Sequence, residues 1–164
     1  CKIWHRTTPE TDRLRIIVSS STLHNAHLHK DYAAKSHYDL LTICGAGMRT
    51  ARLNFQRDYK NCTIGMDISV LAGINDVRNG SPKMLKLEMQ RWFEWIKIHE
   101  KENGLRHTIA FSELFRPPQY YWFRSDGPTP PNHMDRVQII DGMNRVIREM
   151  NADFGKCTNP NGSL

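Results

Sequence analysis

Apolar positions along this chain gather in short β-branched runs, and longer stretches with helical spacing separate them. Residues 14–18 (Leu-Arg-Ile-Ile-Val) form the first run, which ends in Ser19-Ser20-Ser21-Thr22; a helical stretch over 23–35 follows. Residues 38–44 form a second run that stops on Gly45-Ala46-Gly47, with a short helix over 48–57 behind it. The third run, 66–72, stops on Gly73-Ile74-Asn75-Asp76. Leu85, Met89, Trp92, Phe93 and Ile96 then recur on one helical face. That helix is predicted to start at Ser81-Pro82 and to stop at Gly104. A fourth run, 107–111, leads to the break Leu114-Phe-Arg-Pro-Pro118. Residues 119–133, rich in aromatics, Pro and Gly, read as a loop. A last helix over 134–150 aligns Val137, Ile140, Met143, Val146, Ile147 and Met150 on one side.

Strand alternating with helix predicts an α/β fold: a three-layer sandwich with a short parallel sheet of about four strands and helices on both faces. Residues 13–152 read as a single domain, with a polar leader over 1–12 and a polar tail over 153–164. Ligands of such sheets bind outside the carboxyl ends of the strands. Three consecutive strand ends here carry small or polar residues: 19–22, 45–47 and 73–76.

Composition narrows the picture little. The 164 residues are 39% hydrophobic and 24% charged, as in an ordinary folded domain. No apolar run reaches the roughly 18 residues of a membrane span, so a membrane role is not expected. The net charge of +6 is compatible with a polyanion, but the Lys and Arg residues are scattered, with no finger spacing or RNA-binding aromatic motif among them. Cys1, Cys44, Cys62 and Cys157 show no metal spacing; Cys44 reads as a small core residue. Sequons at Asn61, Asn79 and Asn161 fit a secreted or viral-surface setting without fixing a compartment. A chain that begins on Cys1 reads as processed or excised. No cofactor and no metal are expected: His24, His27 and His29 have no carboxylate placed to complete a set.

Taken in order, the three strand ends resemble the blocks of the SGNH (GDSL-type) hydrolase superfamily. The resemblance spans residues 14–152 and implies a short parallel sheet in a three-layer sandwich. It puts Ser21 at the nucleophile position, although Ser19 and Ser20 stand where the family has Gly and Asp. Gly47 best fits the second block, with Gly45 a rival, and Gly73-Ile74-Asn75-Asp76 matches the third. The break after the fourth run and a helix carrying Asn144 and Asn151 also look familiar for the superfamily. The implied oxyanion donors are the backbone N–H groups of Ser21 and Gly47 and the side-chain amide of Asn75. Such donors stabilise the charge that develops on the former carbonyl oxygen during ester hydrolysis.

Each residue also has a plainer reading. Ser21 can cap a helix, and Gly47 and Asn75 can serve turns. A serine hydroxyl needs an adjacent base, which the superfamily supplies from a late Asp-x-x-His block. No Asp in this chain is followed by His at that spacing. His133 lies near Asp135, but before the last helix. The resemblance therefore implies a small-acyl esterase fold, weak or inactive as this chain. The alternative is a degenerate binding module for a protein, a glycan or, with less support, nucleic acid. Its binding edge would take in Gly73 and the aromatic run containing Tyr120, Tyr121 and Trp122.

Overall fold

The computed structural model of this chain describes residues 2–5, 13–20, 38–77, 81–115 and 133–158. Within them, β1 (Lys2–His5), β2 (Arg13–Ser19), β3 (Asp39–Ile43), β4 (Gly65–Leu71) and β5 (Thr108–Phe111) form one sheet in the order β1-β3-β2-β4-β5. The last four pair in parallel, as the alternation predicts, and the fold is α/β with a short parallel sheet of the three-layer class. β1 is an addition. It runs antiparallel to β3, with Lys2 opposite Ile43, inside the segment that reads as a leader. A four-residue run has too few alternations to declare itself, and its strand character comes from pairing with the edge of β3.

Side chains alternate across a strand, and that alternation builds the core. Leu14, Ile16 and Val18 of β2, Met66, Ile68 and Val70 of β4, and Ile109 and Phe111 of β5 join one buried cluster. Three helices pack against it: α1 (Met48–Tyr59), α2 (Pro82–Asn103) and α3 (His133–Thr158). The opposite face divides in two. Leu40 and Thr42 are buried there, whereas Arg15, Ser69, Thr108 and Ala110 are exposed. The helix expected over 23–35 and the loop over 119–133 fall almost wholly outside the described residues.

Local chemistry sets the helix ends. The Ser81 hydroxyl accepts the Met84 N–H at 3.2 Å, with Pro82 opening α2. Gly104 closes it in the left-handed region, at φ 64°. α3 runs past the predicted end near Met150 to Thr158, because Phe154 continues the apolar stripe and stacks on Phe93 at 4.5 Å. Cys44 is half-buried in the turn after β3 rather than in the core.

Candidate functional site

The parallel strands place β3 on one side of β2 and β4 on the other, so the chain reverses its direction of winding at β2. Crevices form at such a reversal, outside the carboxyl ends of the strands. Three of those ends meet here. At the end of β2, the Ser20 N–H extends the ladder by donating to Leu71 O at 3.2 Å. The Ser19 hydroxyl donates to Ser20 O at 3.0 Å, and both serines are fully buried. Ser21, the next residue, lies outside the described set, as do Tyr120, Tyr121, Trp122, His24, His27 and His29, and also the side chains of His133 and Asp135.

The ends of β3 and β4 are joined directly. Gly73 adopts φ 117°, a conformation that L side chains rarely take, and a Cβ there would press on Leu114. This turn sends Ile74–Val77 into a 3-10 helix, with the Asp76 N–H bonded to Gly73 O at 2.9 Å. Two adjacent side chains of that helix then grip the loop after β3. The Asn75 Nδ2 donates to Ala46 O at 3.1 Å, and the Asp76 Oδ2 accepts the Met48 N–H at 2.8 Å. Between these contacts lies Gly47, where a Cβ would collide with the Asp76 carboxylate. Gly45, with φ 70° in open surroundings, serves the turn; Gly47 serves the close approach.

One consequence follows from peptide planarity. Ala46 C=O and Gly47 N–H belong to one trans peptide, so they point in opposite directions. Bound to the carbonyl, the Asn75 amide sits on the side away from the Gly47 N–H. An acceptor in line with that N–H lies roughly 7 Å from the amide, too far for both to hold one oxygen. An amide nitrogen carries two hydrogens, and the second makes no bond among the described residues. In this arrangement Asn75 braces the loop.

The sequence alone assigns Asp76 no separate role. Burial pushes its carboxyl above the usual range, against the Met48 N–H that favours the charged form, and the charge of Glu88 pushes it up further. Beside it, between the first turns of α1 and α2, is a cavity of about 280 Å³ lined in part by Met48, Arg49, Ser81, Leu85 and Glu88. Glu88 pairs with Arg52 at 3.1 Å and with Arg91 at 2.5 Å, so its charge is already matched. A smaller cavity, about 80 Å³, lies on the β5 side between Leu71, Ile74 and Phe115.

Asn144 and Asn151 do not enter the strand-end cluster. Each pairs with a backbone unit after or within β5: Asn144 with Leu114 N and O at 2.6 and 2.9 Å, Asn151 with Phe111 N and O at 3.0 and 2.8 Å. Among the described residues, no group of three His, Cys, Asp or Glu side chains is placed to hold a metal. No helix among them is long and apolar enough to cross a membrane.

No family model matches the sequence, and no curated protein matches it. Among solved structures, the chain is similar to a psychrotrophic esterase, EstA from Pseudoalteromonas sp., inhibited by monoethylphosphonate. The match has 15% identity and a TM-score of 0.52, and covers 87% of this chain and 75% of the esterase. That likeness is one of fold.

Proposed function

We propose that this chain is an SGNH-like hydrolase domain for small-acyl carboxylic esters. In this reading Ser21 is the nucleophile, and Gly47 and Asn75 are oxyanion donors. The observation that carries it is the convergence of Ser19-Ser20, Gly45–Gly47 and Gly73–Asp76 at one sheet edge, with Asn75 and Asp76 stapled across to the Gly47 loop. The fold-level likeness to an esterase supports the same reading. For the hole to form, Asn75 has to leave Ala46 O and turn toward the acyl oxygen. The base must come from outside the resembling motifs, so turnover is expected to be weak but measurable.

A second reading has its own observation. An Asn75 amide that braces the loop is doing structural work, as a binding module that keeps the fold would require. The two are separated by hydrolysis of p-nitrophenyl acetate by the chain beside Ser21→Ala and Asn75→Ala, with folding of each variant checked by circular dichroism. An esterase loses turnover in both, by about 100- to 1000-fold for the amide donor. Turnover that is absent throughout, or equal in all three proteins, sinks the esterase reading and leaves the binding module.

A further inference from the structure

At the amino-terminal edge of the sheet, away from the strand-end cluster, two buried histidines touch. His107 Nδ1 lies 3.0 Å from the Met66 N, and His107 Nε2 lies 2.9 Å from His99 Nδ1. His99 Nε2 lies 3.2 Å from Lys60 O. Both rings are almost wholly shielded from solvent, and His99 stacks on Trp95 at 4.8 Å.

The partners fix where every proton sits. A backbone N–H can only donate, so His107 Nδ1 carries no hydrogen and accepts from Met66. A neutral His107 then holds its proton on Nε2 and gives it to His99 Nδ1. His99 in turn holds its proton on Nε2, facing the acceptor Lys60 O. The chain runs one way, from Met66 N–H through two neutral rings to a carbonyl. A proton added at either Nδ1 would meet a hydrogen already in place.

We propose that the His107–His99 pair is an acid-sensitive latch, which fastens the carboxyl end of α2 and the entry to β5 onto β4 and lets go when a ring takes up a proton. Among the described residues, the charged groups around the pair are already engaged elsewhere. Arg13 and Asp67 satisfy each other at 2.7 Å across β2 and β4. Glu100 of α2 spends an oxygen on the His107 backbone N–H at 2.7 Å, and Lys60 presents its carbonyl. Burial pushes the His107 ring down to about 4 from the ordinary 6.5, with the charges of His99 and Arg13 acting the same way and Asp67 opposing.

The direction of the effect follows. The unfolded chain binds the proton more readily than the folded one between these values, so the latch is intact above about pH 6.5 and its contribution fades as pH falls toward 4. A gap of that size corresponds to about two orders of magnitude in the folding equilibrium. Met66, near the start of β4, and Ala72, just past its end, are roughly 20 Å apart at about 3.3 Å per residue, so the device is separate from the strand-end cluster and does not depend on the esterase reading.

Imidazole nitrogen shifts test it directly. At pH 7.5 both rings are expected in the Nε2–H form, and His107 stays neutral at pH 5.5. A charged His107 at pH 5.5, or an Nδ1–H form of either ring, overturns the proposal. A second arm uses urea unfolding at pH 7.5 and 4.5 for the parent and His107→Asn, whose side-chain oxygen can accept the Met66 N–H without titrating. The acid-driven fall in the folding constant should be at least tenfold larger in the parent. Equal falls in the two proteins overturn the latch; if the variant does not fold, the nitrogen shifts decide.

Discussion

Oδ2 of Asp76 accepts the Met48 N–H at the start of α1, while burial and the charge of Glu88 oppose its ionisation. Asparagine in its place keeps an acceptor and removes the charge. A carboxyl whose folded pKa is raised weakens the fold where it is ionised and ceases to do so where it is protonated. Asp76→Asn should therefore be at least as stable as the parent at pH 7, and the difference should narrow toward pH 4; urea midpoints at the two pH values measure it. Gly47→Ala has the opposite sign. Its new methyl meets the same carboxylate, and overpacking of this kind costs about 1–3 kcal/mol, to be read from the same unfolding curves. Residue types and positions at the strand ends were legible in the sequence. Their partners were not, because Ala46 and Met48 lie 29 and 28 positions from Asn75 and Asp76 and no spacing rule links them.

Elements depend on the same kind of long-range amide contact. Asn144 and Asn151 stand on one face of α3 and each offers a donor and an acceptor to a backbone unit, as a neighbouring strand would. Asn144 is buried, so Asn144→Ala strands both Leu114 N–H and Leu114 O away from water. Each such group costs about 1–3 kcal/mol, and a loss of about 2–4 kcal/mol in equilibrium unfolding is expected. Asn151→Ala should cost less, since its site is only partly buried. Three of the helices and four strands followed from hydrophobic period and caps, within a few residues. The end of α3 differs because Phe154, within the expected tail, adds a further turn to the stripe, and β1 is too short to carry a period of its own.

At the scale of the molecule, alternation of strand and helix in the sequence implied the class of fold, but not the spatial order of strands. That order depends on which edges pair, and pairing partners leave no local mark. It puts β2 at the centre, between β3 and β4. Arg13 of β2 reaches Met66 across 53 positions, and Thr108 reaches Asp67 across 41. Ladders closed over such distances form late. On a ribosome adding about 5–20 residues per second, the start of β2 waits roughly 3–10 s for its β4 partner to be made. During that interval Leu14, Ile16 and Val18 are an apolar strand without its neighbour. The central position that later shields them from both sides is also the one that keeps them waiting longest for a neighbour.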